Sequence, residues 1–381
     1  MDLTRTAFGT WSGGRYAQFG EPLAEERFIN LIQHAYRSGI RTFMTADVYG
    51  AGAADEMLGR ALAGLPRDSY CLVGAVGHDF YSGKRDGGFP RFTQPELRPP
   101  NEFAGYLRMA TEKSLARCRV DRFDLLLLHN PDSIGYRKDA VWNGLAKVQE
   151  AKLTDRLGVA PGPANGFTLD LILCFERFGP LLDWAMVILN PLEPWPGSLC
   201  LPAAKTHGVK IITRAVDYGG LFHGDVQAGH TFGPPDPRAF RPAGWVEAGY
   251  ERMEKMRSIA EQHQVTMLQL ACLWNLSQPA VKSVIPTLVQ EIGARARSIE
   301  SKADDLAALP ALTLTEEERE FIGRVGDNQG CMELKGALRG HTGEAQADRW
   351  ELTAELEAVG KRWGLDPDRD LVCTHPKAKD L

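Results

Sequence analysis

Short apolar runs and amphipathic stretches alternate along the whole chain. Eight runs have the length and the β-branched or aromatic content of strands: AFGTW, RTFMTAD, YCLVGAV, FDLLLLH, RLGVAP, WAMVILN, VKIITRA and KSVIPT. Between them lie segments whose apolar residues recur at helical spacing, among them EERFINLIQHAYRSG, FAGYLRMATEKSLARC, TLDLILCFERFG and YERMEKMRSIAEQH. Strands that alternate with helices of roughly 10 to 15 residues are βα units. Eight units in one chain predict an α/β fold of the (β/α)8 TIM-barrel type rather than an open doubly wound sheet. No GxGxxG follows any strand, so no Rossmann crevice is expected.

In such a barrel the chemistry gathers at the C-terminal strand ends, where the βα loops meet. Two of these loops are long and rich in Gly and Pro: GHDFYSGKRDGGFPRFTQPELRPPNE after the third strand, and DYGGLFHGDVQAGHTFGPPDPRAFRPAG after the seventh. Loops of that kind shape binding sites more often than they merely connect, and their aromatic residues suggest ordered lids. The barrel is expected over residues 1–325. Residues 326–381, with a helical ADRWELTAELEAVGKRW but no βα unit, read as an extension packing on the barrel, too short to bury a core of its own.

A formal net charge of -5 and the absence of a basic run argue against nucleic acid as a partner. The longest apolar runs, such as LLLL at 125–128, fall far short of the roughly 20 residues needed to cross a bilayer, and the N-terminus lacks an apolar signal core. A cytoplasmic protein acting on a small molecule is expected, with no membrane role; the sequence leaves the oligomeric state open. The seven cysteines are scattered singly with no CxxC, which fits reduced, buried thiols rather than zinc or a dithiol centre. His223 and His230 bring no third ligand at fixed spacing, so no metal is expected, and Cys331 in the tail reads as a lone thiol.

GTWSGG, AYRSGIRTFMTADVYG, DEMLGRAL, SLARCRVDRFDLLLLHNPD, LGVAPG and VTMLQLACLWNLSQPAVKSVIP stand in order over roughly residues 7 to 325, and together they resemble the landmarks of the aldo-keto reductase superfamily. The resemblance implies a (β/α)8 barrel that reduces carbonyls with NADPH through an Asp, Tyr, Lys, His tetrad. On the family pattern FDTAxxYG, Tyr49 takes the place of the proton donor and Met44 that of the aspartate. Ala75 in LVGAVG stands where the family has its lysine. His129, at the end of LLLLH, matches the family histidine. Two of four positions survive, and the lost pair is the one that holds a cation beside the tyrosine. A phenol titrates near pH 10, so it donates best when a cation lowers that value. Losing both members of an ion pair together leaves no buried charge unpaired.

The cofactor positions change in the same way. The resemblance places a Ser-Asn pair, a glutamine and a stacking aromatic around the nicotinamide; here they read Ala160 and Pro161, Ile188, and Arg214. In the stretch after the eighth strand, Arg295, Arg297 and Lys302 could hold a phosphate, the plainer reading being a solvated helix face. NADP(H) is therefore possible but doubtful.

The polar groups concentrated at strand ends are Tyr49, His78, Asp79, His129, Asn130, Asn190, Glu193 and Arg214, with Asp217 and Trp195 nearby. Tyr49 and His129 form a candidate acid-base pair, since histidine titrates near pH 6.5. Arg214 could hold a carboxylate or an enolate, and Asp217 or Glu193 could act as a base. Asp47 is either an acid reaching the site from a loop or a helix cap, because an odd offset from Met44 turns a strand side chain to the opposite face. His78, Asp79, Asn130, Asn190, Glu193 and Trp195 are candidate substrate contacts. Three readings follow: an NAD(P)H-dependent oxidoreductase acting on a carbonyl or hydroxyl of a small polar, sugar-like molecule; a cofactor-independent lyase, isomerase or hydrolase on the same barrel; and a non-catalytic binding subunit.

Overall fold

The computed structural model describes residues 1–84, 88–162, 167–241, 243–293, 296–329, 346–347 and 352–373. Its centre is one sheet of eight parallel strands in sequence order: β1 (Ala7–Gly9), β2 (Thr42–Met44), β3 (Cys71–Val76), β4 (Leu125–His129), β5 (Leu157–Ala160), β6 (Trp184–Ile188), β7 (Lys210–Arg214) and β8 (Val281–Ile285). Thr6 bridges Val284 in parallel and the Val284 amide donates to the Arg5 carbonyl, so the last strand meets the first. Seven of the strands lie within the runs that the sequence pattern marks, and β8 starts one residue before KSVIPT, at Val281. The (β/α)8 barrel is thus the observed architecture.

The strands sort their side chains with period two, as a pleated backbone must. Met44, Val73, Ala75, Leu125, Leu127, Ala160, Trp184, Met186, Ile212 and Ile285 form one buried cluster, which fills the barrel interior. The alternate residues Phe43, Leu72, Leu126, Leu128, Val159, Ala185, Val187 and Ile211 belong to a second cluster shared with the helices. Those helices are α1 (Glu25–Ser38), α2 (Ala53–Ala61), α3 (Phe103–Cys118), α4 (Ser133–Arg137), α5 (Asp139–Glu150), α6 (Thr168–Phe178), α7 (Leu201–Thr206), α8 (Trp245–Gln262), α9 (Met267–Leu276), α10 (Ile299–Ala307) and α11 (Glu316–Val325). Helix α1 buries Phe28, Leu31, Ile32 and Ala35, one face at helical spacing, and stops at Gly39, whose φ of 115° suits glycine. Capping boxes start α9 (Thr266 with Gln269) and α11 (Thr315 with Glu318). Helices α4 and α11 were not marked by the apolar pattern; α4 has only five residues, and α11 buries only Ile322.

In the tail, α12 (Ala354–Trp363) begins after its cap Thr353 and lies against α6. Arg362 Nε and Trp363 Nε1 donate to Glu176 at 3.0 and 2.9 Å. Among the described residues no helix is long and apolar enough to cross a membrane.

The long loop after β7 is tied down by buried charge. Arg238, fully buried, reaches Glu291 at 2.5 Å and Asp236 at 2.7 Å, and donates to the Gly219 carbonyl at 2.9 Å. Asp236 also accepts from the Gly20 amide at 2.9 Å, so the loops after β1, β7 and β8 share one knot. Replacing Arg238 with Met leaves two carboxylates buried without their cation, a change that costs about 3–5 kcal/mol. Urea denaturation should show that loss; a change under about 1 kcal/mol would mean that the knot is dispensable.

Candidate active site

The ladder between β2 and β3 runs past the regular strand: the Thr45 and Asp47 amides donate to the Val73 and Ala75 carbonyls at 2.9 and 3.0 Å. Alternation therefore continues, with Met44 and Ala46 facing the barrel axis and Thr45 and Asp47 facing the helices. The chain then turns, and Tyr49 swings back over the mouth of the barrel. Its ring stands edge-on to His129 at 5.7 Å and 87° and to Trp11 at 6.3 Å. His129 is the last inward residue of β4, and its ring lies 5.2 Å from that of His78 in the third loop. From the opposite side β7 sends in Arg214, whose Nη2 donates to the Pro161 carbonyl at 3.0 Å. Arg214 Nε and His129 Nδ1 are buried without a hydrogen-bond partner.

The third loop contributes a second guanidinium. Arg91 Nη1 donates to His78 Nδ1 at 3.3 Å and Nε to the Asn130 carbonyl at 2.5 Å. Asn130 Nδ2 lies 3.3 Å from His78 Nε2, so a neutral His78 can accept from Arg91 or from Asn130 but not from both at once. Asn130 adopts a left-handed backbone with φ of 46°, a conformation that Asn tolerates.

Burial sets the charge state of the mouth. It raises the Tyr49 phenol, and the Arg214 guanidinium pulls the other way. It drives His129 well below the usual imidazole range, with His78, Arg214 and Arg91 adding to the effect. His78 is pushed down to about 4 by burial and by Arg91. Both guanidiniums are lowered by burial but stay charged at neutral pH. The resting site is thus a neutral phenol, two neutral imidazoles and two cations. Burial thus holds the His129 imidazole neutral at neutral pH.

The other candidates lie elsewhere. Asp47 turns outward to Asp55 and Arg117; burial, then the Asp55 charge, lift its carboxyl well above the usual range. It does not cap α2 either, since the N-cap there is Gly52. Asp79 accepts from Ser82 Oγ at 2.7 Å and pairs with Arg98. Asp217 accepts from the Thr287 and Gly220 amides at 2.6 and 2.7 Å, joining the β7 and β8 loops. Asn190 donates to Glu193 at 3.2 Å and to the Ala215 carbonyl at 3.1 Å, bracing the sixth loop. Trp195 holds the tail: its Nε1 donates to the Asp370 carbonyl at 2.7 Å and its amide to Asn328 at 2.9 Å. Among the described residues no group of three or more His, Cys, Asp or Glu could hold a metal ion.

The proposed phosphate cations are engaged. Lys302 is fully buried, pairs with Asp225 and donates to the Val289 carbonyl at 2.6 Å, so it is neither a free phosphate donor nor part of a solvated face. Arg297 pairs with Asp305 at 2.8 Å. Arg295 and Cys331 lie outside the described residues. Ala160, Pro161 and Ile188 carry no side-chain donor for a carboxamide, so the residues present do not fit the family's way of holding NADP(H). Arg91 and Trp11 are the site residues that the sequence did not mark. Arg91 lies in a long Gly- and Pro-rich loop with no spacing signal, whereas Trp11 continues the inward alternation of the first strand.

A base whose folded value is depressed contributes stability that is present above its unfolded value and lost as pH falls. The fold should therefore weaken between about pH 6.5 and about pH 4 as His78 is driven to protonate. His78→Gln should flatten that slope in urea midpoints measured across pH; an unchanged slope would assign it to other groups.

A sequence model of the Aldo/keto reductase family matches residues 5–318. The protein named "Probable aldo-keto reductase 1" of Glycine max is 26% identical over 317 residues, 79% of this chain and 84% of its own length. D-threo-aldose 1-dehydrogenase of a Pseudomonas species is 23% identical over 279 residues, 69% and 79% of the two chains. Among solved structures, glycerol dehydrogenase from Gluconobacter oxydans superposes with a TM-score of 0.67 at 24% identity, covering 85% of this chain and 92% of that one. An aldo/keto reductase from Klebsiella pneumoniae, in complex with NADP and acetate, gives 0.57 at 21% identity, covering 85% and 91%. By sequence and by barrel, this chain belongs to the aldo-keto reductase family and is oxidoreductase-like.

Proposed function

We propose that this chain is an oxidoreductase acting on a carbonyl or hydroxyl group of a small polar, sugar-like molecule, with Tyr49 moving the proton at the oxygen. One observation carries this reading: the Tyr49 ring stands edge-on to His129 at the barrel mouth that Arg214 also enters, and the Arg214 charge opposes the rise that burial imposes on the phenol. When Tyr49 gives its proton to a carbonyl oxygen, the phenolate that remains lies beside a positive charge. Arg214 thereby offsets part of what burial does to the phenol. His129, neutral and edge-on, is placed to orient the substrate oxygen.

The carboxylates support proton donation to oxygen over abstraction of a C–H proton. Among the described residues Asp47 faces the helices, while Asp79, Asp217 and Glu193 are held by other groups. The relatives named as an aldose dehydrogenase and a glycerol dehydrogenase support a polyol or sugar substrate. NADP(H) is supported by the NADP-bound neighbour, against the missing family donors. A second reading, the cofactor-independent lyase, isomerase or hydrolase, is favoured by those same replacements at Ala160, Pro161 and Ile188. A cytoplasmic setting belongs to the proposal, supported by free, buried Cys71, Cys118, Cys174, Cys200 and Cys272. So does the view that residues 326–381 are an appendage, supported by the packing of α12 on α6.

Titration with NADPH and with NADP while following Tm separates the two enzymatic readings. A cofactor at 100 times its Kd stabilises the fold by about 2.7 kcal/mol, so no shift with either at millimolar concentration sinks the redox reading. With a substrate in hand, Tyr49→Phe should lower kcat by about 10²- to 10⁴-fold with Tm little changed. Retained turnover would make the tyrosine structural.

A further inference from the structure

We infer that the substrate carries a carboxylate, held by the Arg91 and Arg214 guanidiniums that flank His129. The inference rests on the barrel mouth being the active site and deepens that reading. Several other arginines that are largely shielded from water have carboxylate partners, namely Arg98 with Asp79, Arg117 with Asp55, Arg137 with Asp170, and Arg238 with Asp236 and Glu291, whereas buried Arg241 lies over the Trp245 and Tyr218 rings. Arg91 and Arg214 have none among the described residues. Their acceptors are uncharged: the Asn130 carbonyl and His78 for Arg91, and the Pro161 carbonyl for Arg214. Asp132, whose charge acts on Arg91, accepts from Thr93 Oγ1 at 2.7 Å and from the Gly135 amide at 2.8 Å.

Leaving two guanidiniums half-buried without a counter-ion costs free energy that a folded chain does not spend without a return. The geometry shows where an anion would restore the balance. Arg214 Nε, a buried donor with no acceptor, and the unpartnered His129 Nδ1 both lie at the mouth. Both arginines act on His129, and His78 joins Arg91 to the same cluster. A planar carboxylate matches the guanidinium fork, which an uncharged sugar hydroxyl does not. Burial is the main cause that holds His129 neutral; such an anion would offset the Arg214 and Arg91 charges that add to it, so binding would raise the imidazole toward its ordinary value.

The test uses the full chain and two matched pairs of probes: pyruvate against methyl pyruvate, and D-glucuronate against D-glucose. Calorimetry or Tm shifts should show at least one acid binding roughly tenfold or more tighter than its neutral partner. Arg91→Met and Arg214→Met should each weaken that acid by roughly 10- to 100-fold, with Arg91→Lys restoring part of the loss. The expected signature is a His129 imidazole resonance whose titration moves to higher pH when the acid is bound. Equal binding of acid and neutral partner, no binding of either acid at millimolar concentration, or indifference to both Met substitutions would overturn the inference. So would inorganic phosphate displacing the acid at lower concentration, which would make the site a phosphate site. Binding is also measured on Tyr49→Phe: an intact arginine dependence there, together with retained turnover of the wild-type substrate, would reject the proposed function and leave the carboxylate site standing.

Discussion

The structure depends on the alternation of side chains along eight parallel strands. A pleated backbone allows each residue one of two destinations, the barrel interior or the layer beneath the helices. Because the β2–β3 ladder continues to Asp47, the assignment extends beyond the regular strand and fixes which groups reach the mouth. Met44, Ala75 and Ala160 line the interior with apolar groups, and His129 and Arg214 are the polar side chains that the same rule delivers inward at the top. Tyr49 joins them only because the chain leaves the strand and turns.

That geometry gives the barrel mouth an apolar wall. Met44 and Ala75 belong to the buried cluster against which Tyr49 packs, and burial raises the phenol. A guanidinium from the far side of the mouth compensates in part. A guanidinium keeps its proton under any physiological condition and presents several donors in a plane, so the charge that Arg214 brings is directional. Asp79 is tied to Ser82 and Arg98, and Asp217 to the Thr287 and Gly220 amides.

The strands and major helices were legible in the sequence because both periodicities are strong, and the resemblance covered the same span. What escaped was decided by tertiary placement. Lys302 follows the helical spacing of Ile299, Ala303 and Leu306, so its burial could have been read from the pattern that makes those neighbours core. Trp195 looked like a wall of the site, yet its indole N–H is taken by a backbone carbonyl 175 residues further along. Arg91 carries no local signal, since only the fold of the third loop brings it to His78. Asp47 was ambiguous until the end of the ladder was known.

The attachment of the tail at Trp195 has a mechanical meaning. One indole and one amide make the sixth loop and the far end of the chain a single tethered unit, so each restricts the fluctuations of the other. Loop motion at a barrel rim usually belongs to the loop alone. Here the freedom of the sixth loop is linked to Asn328 and Asp370, 133 and 175 residues further along, so the stiffness of the rim depends on contacts far away in sequence.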